Sequence, residues 1–225
     1  MQKKREEVKR VEIDVRGDII SNDDKWIYNY LEWESTCPAD VKNALLTKES
    51  DEKLTVMINS GGGSVMAGQE IYSMLRERDD VEIKVQSLAG SAASVIAMAN
   101  TCEISPVAMI MIHNVSMWGV NGDYHEMQKN AEILRQMNAA LASSYVNKTG
   151  KSKEEILRLM DRETWLTANQ ALEMGFVDKI SDTAPQMINN VEGMRLTDEI
   201  RSRVIAEIED NTKNELLSDL DRFGV

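Results

Sequence analysis

Apolar and polar positions alternate in several short stretches of the chain, which is the pattern of β-strands with one buried face. Such alternation is present in the first part of residues 9–21 and again at 81–85. Two continuous apolar runs, at 54–58 and 108–112, are typical of strands that are covered on both faces. These four stretches predict the strands of a largely parallel sheet.

Between and after these strands, most of the chain has apolar residues at helical spacing. An amphipathic pattern follows the glycine run at 61–63, and an alanine-rich helix is predicted over 94–100. A long apolar stripe predicts a helix over 124–147, and two further helices are predicted to begin near Ser152 and Thr167, each with a capping box. Strands that alternate with helices favour an α/β fold built from parallel crossover units.

The last part of the chain differs from the rest in composition. It is rich in charged residues, and its apolar positions have helical spacing over 196–223. We therefore expect a main domain over residues 1–182 and a charged helical appendage over 183–225.

Charge and cysteine content exclude several classes of protein. A formal net charge of −12 makes a nucleic acid or an anionic membrane surface a poor partner. Neither Cys37 nor Cys102 has a second cysteine or a histidine at metal-ligand spacing, so no metal and no cofactor are expected. Two lone cysteines and a charged start without an apolar segment favour a cytoplasmic protein with reduced thiols.

The stretch SLAGSAASVIA, residues 87–97, contains the first candidate for chemistry. Ser94 is predicted where a strand gives way to a helix, so its hydroxyl would project at the carboxyl edge of the sheet. The next amide, that of Val95, would point the same way and could bind an oxyanion. Ser94 could equally be an ordinary helix N-cap.

His113 ends the next predicted strand and is the natural partner for this serine. The carboxyl ends of neighbouring parallel strands share one crevice, so Ser94 and His113 are expected to meet there. A third group should orient the imidazole, and the acidic candidates are Asp161 and Glu163.

Four linked motifs carry a family resemblance: INSGGGSVMAGQEIYSML, GSAAS, MIMIHN and ETWLTANQALEMGFVDKI. Over roughly residues 10–182 the chain resembles the Clp protease proteolytic subunit (ClpP) family. It is most similar to the phage ClpP-like head maturation (prohead) proteases. The resemblance implies a ClpP/crotonase-like spiral of parallel βαβ units with a protruding handle helix, and a peptidase domain over 1–182.

The same resemblance assigns roles to residues of this sequence. Ser94 becomes the nucleophile, His113 the general base and Glu163 the triad acid, with Asp161 as the alternative acid. Gly61 replaces the usual proline of the glycine run. The implied oxyanion hole consists of the amides of Gly63 and Val95, and the implied substrate-binding residues are Gly62, Ser64, Val65, Asn114 and Val115.

The implied function is that of a serine endopeptidase that cuts peptide bonds, with capsid (head) maturation of a phage or prophage as its expected role. The implied partners are peptide or capsid-protein substrates, copies of the chain in a heptameric ring or stacked rings, and an ATPase. Two alternatives stay open. One is a catalytically degenerate, ring-forming assembly partner, and the other is a crotonase-like acyl-CoA enzyme, for which a basic CoA-binding patch would be needed.

Overall fold

The computed structural model describes residues 10–117, 119–182 and 196–223. The charged start, residues 1–9, and the first part of the expected appendage, residues 183–195, lie outside the described residues.

The described residues form eight strands and eight α-helices, which alternate except that β6 follows β5 and α6 follows α5. Their bounds, in chain order, are β1 (Arg10–Ile19), α1 (Lys25–Tyr30), β2 (Ser35–Thr36), α2 (Pro38–Thr47), β3 (Lys53–Gly63), α3 (Val65–Arg76), β4 (Val81–Gly90), α4 (Ala92–Ala97), β5 (Thr101–Ile104), β6 (Met109–Ile112), α5 (Tyr124–Thr149), α6 (Lys153–Asp161), β7 (Thr164–Thr167), α7 (Ala168–Glu173), β8 (Lys179–Ile180) and α8 (Asp198–Phe223).

One sheet contains all of these strands, and its main path runs β2-β1-β3-β4-β5-β8. Every neighbouring pair on this path is parallel, as the alternating pattern predicts. Beyond the end of β5, the last residues of β4 pair with β6 instead, with Gly90 opposite Met111. The carboxyl ends of β4 and β6 therefore lie side by side.

β7 was not predicted, and it pairs with β6 in the antiparallel direction. Ile112 lies opposite Thr164 at the last pair of this ladder. The residue before β7 and the residue after β6 therefore both adjoin this last pair, at the edge of the sheet where β6 ends.

The boundary between β4 and α4 differs from the prediction. Helix α4 begins at Ala92 rather than at 94, and β4 continues to Gly90. The ends of β3 and β4 pack so closely that a Cβ on Gly90 would lie 3.0 Å from the carbonyl oxygen of Gly61. Small residues permit this approach, but they carry no hydrophobic period that would fix the boundary in the sequence.

Helix α5 has two different halves. Its buried residues, Leu141, Ala142, Ser144 and Tyr145, all lie in the carboxyl-terminal half. The first turns, residues 124–129, are exposed to solvent. Helix α5 therefore joins the core at one end only, as expected for a protruding handle.

The amino-terminal part of α8 contacts the main domain near α1. The guanidinium of Arg201 lies 2.9 Å from the carboxylate of Asp24, and Val204 is buried. Just before the helix, Leu196 packs on the small apolar cluster of Ile20 and Tyr28.

Among the described helices, none combines the length and the apolar character that crossing a lipid bilayer requires.

Candidate active site

Ser91 is the single residue between β4 and α4. Its backbone has φ 50° and ψ −122°, a conformation that residues other than glycine rarely adopt. Such strain costs on the order of 1–3 kcal/mol and persists only where the surrounding structure enforces it. A serine held at a strained turn between a strand and a helix has the geometry of a nucleophile elbow.

His113 contacts this serine directly. It follows β6, and its Nε2 lies 2.7 Å from the Oγ of Ser91. The pairing of β4 with β6 brings the two residues together, and the amide of Ser91 donates to the carbonyl of Met111 at 2.9 Å. A hydroxyl hydrogen-bonded to an imidazole nitrogen can lose its proton to that nitrogen as it attacks a substrate.

Ser94 does not take the predicted position. It is the third residue of α4, it is fully buried, and its Oγ bonds the carbonyl of Ser91 at 2.6 Å and the hydroxyl of Tyr145 at 2.8 Å. The predicted Ser94–His113 pair is therefore wrong, and the serine that is hydrogen-bonded to His113 is Ser91. The error follows from the helix boundary, because a helix that begins at Ala92 places Ser91 at the turn.

The sequence contained a signal for Ser91 that the prediction did not use. An elbow needs small residues on both sides of the nucleophile, because strand, turn and helix crowd together there. In the G-x-S-x-G pattern the small residues lie two positions before and after the serine, and these are Ala89 and Ala93 for Ser91, whereas Ile96 lies two positions after Ser94.

The predicted oxyanion donor Val95 is also wrong, because its amide donates to the carbonyl of Ser91 at 3.3 Å. The amide that follows Ser91 is that of Ala92, the first residue of α4. Amides in the first turn of a helix have no acceptor within the helix, so this N–H can serve a ligand.

The glycine run packs directly against the elbow. A Cβ on Gly62 would lie 2.7 Å from the Cβ of Ser91 and 3.0 Å from the amide nitrogen of Ala92. The amide of Gly62 donates to the Oγ of Ser60 at 3.1 Å. The role of the neighbouring Gly63 amide as an oxyanion donor stays a prediction.

The residues predicted to bind substrate have other partners in this structure. The amide of Ser64 donates to the carbonyl of Ile19 at 2.7 Å, and its hydroxyl caps α3. The amide of Val115 donates to Asn138 at 2.7 Å, and Val65 packs against the core. A peptide would have to use other groups here or displace these bonds, so their role in binding stays a prediction.

Neither candidate for the triad acid is hydrogen-bonded to His113 within the part of the chain that the structure describes. The carboxylate of Glu163 is exposed and accepts from the indole of Trp165 at 3.2 Å. Asp161 accepts from the side chain of Asn114 at 2.9 Å. Glu163 directly precedes Thr164, the partner of Ile112, but its backbone has φ 50° and lies outside the ladder.

The two thiols do not compete for the role of nucleophile. Both cysteines are free and buried. Burial raises the pKa of Cys102 to about 12 and also raises the pKa of Cys37. Each thiol therefore keeps its proton, and a protonated buried thiol is inert.

Comparisons with known proteins identify the family of this chain. A family model described as Clp protease matches residues 23–184. The ATP-dependent Clp protease proteolytic subunit 2 of Tropheryma whipplei (strain Twist) is 34% identical over 134 residues, which are 57% of this chain and 73% of the relative. The proteolytic subunit 1 of Corynebacterium glutamicum is 31% identical over 156 residues, 66% of this chain and 75% of the relative.

A solved structure supports the same relationship. A mutant of ClpP1 from Listeria monocytogenes superposes with a TM-score of 0.62 at 26% sequence identity. The match covers 76% of this chain and 91% of the other. The predicted ClpP-like α/β fold, with its parallel sheet and flanking helices, is thereby confirmed.

Proposed function

Because this chain belongs to the Clp protease family, a family of serine endopeptidases, we propose that it cuts peptide bonds with Ser91 as nucleophile and His113 as general base. The observation that carries this assignment is the 2.7 Å hydrogen bond between the Oγ of Ser91 and the Nε2 of His113 at the strained elbow. It replaces the assignment of Ser94 and keeps that of His113.

The mechanism follows from the positions of these groups. His113 accepts the hydroxyl proton of Ser91 at Nε2 while the Oγ attacks the peptide carbonyl carbon. The negative oxygen of the tetrahedral intermediate accepts hydrogen bonds from the amides of Ala92 and Gly63. His113 then gives the proton to the leaving amine, and the acyl-enzyme is hydrolysed by water with His113 again as the base.

We assign Glu163 as the acid that orients His113. Glu163 directly precedes Thr164, the partner of Ile112 in the last pair of the β6–β7 ladder, and His113 directly follows Ile112. A change of the Glu163 side-chain rotamer, with loss of the bond to Trp165, would bring the carboxylate to the imidazole. Asp161 lies two residues earlier in the chain and accepts a hydrogen bond from Asn114.

We expect Glu163→Gln to lower the rate of peptide hydrolysis by about 100-fold or more, because the amide cannot stabilise the imidazolium that forms. Asp161→Asn is the matched control, since it also neutralises an exposed carboxylate, two residues away at the end of α6, and it should keep a near-normal rate. Steady-state hydrolysis of a fluorogenic peptide measures both. A larger loss in Asp161→Asn than in Glu163→Gln would transfer the role to Asp161.

Covalent labelling with a fluorophosphonate tests the nucleophile directly. Ser91 and Ser94 both lie in the tryptic peptide 85–129, so fragment ions must locate the label between them. We expect the label on Ser91, none in Ser91→Ala, and slow labelling in His113→Ala. A label on Ser94, or an unlabelled protein that is folded and assembled, would overturn the proposal.

The substrate is proposed from the resemblance to head maturation proteases, which makes a phage capsid protein the expected target and a bacterial or phage-infected cytoplasm the expected site of action. The curated relatives reported above are bacterial Clp subunits. Incubation with the capsid protein and, separately, with casein would distinguish the two roles. Cleavage of casein but not of capsid protein would favour general proteolysis.

We also propose that copies of this chain form a ring, or two stacked rings, and that an ATPase can dock. The exposed first turns of α5 leave a helix end available for contacts between copies, and the relatives are described as subunits of ATP-dependent proteases. Native mass spectrometry would give the number of copies. A ring that leaves both substrates intact and Ser91 unlabelled would favour the alternative of a structural assembly partner.

The acyl-CoA alternative is less well supported by this site. An enolate bound by backbone amides does not need a serine bonded to a histidine, yet Ser91 and His113 form that pair at 2.7 Å. The described structure therefore favours covalent catalysis by a serine.

A further inference from the structure

The carbonyl of Ser91 is held by more bonds than a helix start requires. It accepts from the amides of Ser94 and Val95 at 3.0 and 3.3 Å, as the first carbonyl of a helix normally does. It also accepts from the hydroxyl of Ser94 at 2.6 Å. The extra bond falls on a residue whose backbone is strained, with φ 50°.

The hydroxyl of Ser94 links this carbonyl to helix α5. Ser94 has one hydroxyl proton, and the Ser91 carbonyl can only accept, so that proton lies between them. Tyr145 must then be the donor in its 2.8 Å bond to Ser94. The resulting chain runs from the Tyr145 hydroxyl through Ser94 to the Ser91 carbonyl, and hydrogen bonds in such a chain strengthen one another.

The two hydroxyls of this hydrogen-bond chain, those of Ser94 and Tyr145, are buried, so water cannot replace either of them. Ser94 is 0% exposed and Tyr145 is 1% exposed. Burial raises the pKa of Tyr145, which keeps its hydroxyl protonated and able to donate. The Tyr145 ring is fixed by packing on Phe176, with ring centroids 5.9 Å apart.

We infer that Ser94 and Tyr145 are positioning residues for the nucleophile, which hold the Ser91 carbonyl so that the Ser91 hydroxyl faces His113 and the Ala92 amide faces the same space. This inference rests on the proposed function. It gives a role to the second serine of the GSAAS motif, and it connects the elbow to the buried end of α5.

Three variants test this role at a temperature well below unfolding. Ser94→Ala removes the extra donor, and we expect kcat to fall about 10- to 100-fold with little change in KM, because a misplaced nucleophile slows the chemical step. Fluorophosphonate labelling of Ser91 should slow in parallel. Tyr145→Phe keeps the ring and removes only the hydroxyl, so it should cause a smaller loss in the same direction.

The double variant Ser94→Ala/Tyr145→Phe separates positioning from stability. Ser94→Ala alone leaves the buried Tyr145 hydroxyl without a partner and should lower the melting temperature. Removing both hydroxyls relieves that penalty, so the melting temperature should rise again. The activity should stay low, because the carbonyl of Ser91 still lacks its extra donor.

Ser144→Ala is the matched control. Ser144 is also buried, and its hydroxyl bonds a backbone carbonyl, that of Leu141, at 2.7 Å on the residue next to Tyr145. It does not touch the elbow, so kcat and labelling should match the wild type.

The possible outcomes are distinguishable. Wild-type labelling at Ser91, together with normal kcat in Ser94→Ala, would overturn the positioning role and leave the proposed function standing. Recovery of both stability and activity in the double variant would show that the pair is only structural and would also overturn it. A wild-type protein that is not labelled at Ser91 would overturn the proposed function, and the positioning role with it.

Discussion

Replacing Ser91 with alanine should reduce peptide hydrolysis to the background rate, a loss of about 10⁴-fold or more. The variant keeps His113 and the backbone amides but has no atom that can form the acyl-enzyme. Because the Ser91 backbone is held by bonds to its own amide and carbonyl, the fold should be retained. Hydrolysis of a fluorogenic peptide, with circular dichroism as a check on folding, measures the effect.

Ser87→Ala is a suitable control for this experiment. Ser87 lies in the same strand, β4, but outside the elbow, so its loss should leave the rate of hydrolysis unchanged. The alternative nucleophile makes the opposite prediction for Ser91→Ala. If Ser94 were the attacking residue, the Ser91 variant would retain substantial activity, and the assignment of the pair with His113 would have to be abandoned.

Alanine at Gly62 should inactivate the protein almost as completely, by about 100-fold or more in kcat, although Gly62 carries no reactive group. Gly62 has φ 109°, a conformation that strains any residue with a Cβ. The new Cβ would also lie 2.7 Å from the Cβ of Ser91, 2.8 Å from the Gly90 oxygen and 3.0 Å from the Ala92 nitrogen. All three atoms belong to the elbow, so the crowding can be relieved only by moving the nucleophile or the oxyanion donor.

Gly150→Ala distinguishes crowding from backbone strain. Gly150 ends α5 with φ 71°, and a Cβ there would meet no atom within 4 Å. This variant should lose about 1 kcal/mol of stability from the left-handed backbone alone and keep its activity. Chemical denaturation and peptide hydrolysis of both variants make the comparison. Equal activity in Gly62→Ala and the wild type would mean that the glycine run does not support the elbow.

The local pattern of apolar residues was sufficient to predict most of the framework. Alternation at 11–15 and 81–85 corresponds to β1 and β4, and the run at 54–58 corresponds to the first half of β3. The capping box predicted at Thr167 is confirmed, and Ser152 also caps its helix, because it accepts from the amide of Glu155 at the start of α6, although Glu155 does not return the bond. These features are local, because a period of two or of 3.6 residues and a cap are both visible within one turn or strand.

The boundary between strand and helix in a segment of small residues could not be predicted in the same way. Alanine, glycine and serine at 89–93 fit a strand, a turn or a helix, so the predicted start of α4 was two residues late. That error was large enough to exchange the two serines of the GSAAS motif. The strands β5 and β7, each four residues long, were missed for a related reason, since a short strand shows too few periods to be recognised.

The sequence by itself therefore determined the fold class, the strand that ends at His113 and the glycine run beside the site. The tertiary structure corrected which serine meets His113, because that contact depends on how closely β3, β4 and β6 pack at their carboxyl ends. It also placed Thr164, the residue after Glu163, opposite Ile112, the residue before His113, because β7 pairs antiparallel with β6. Both are contacts between segments far apart in the chain, and a local pattern of residue types carries no information about the distance between them.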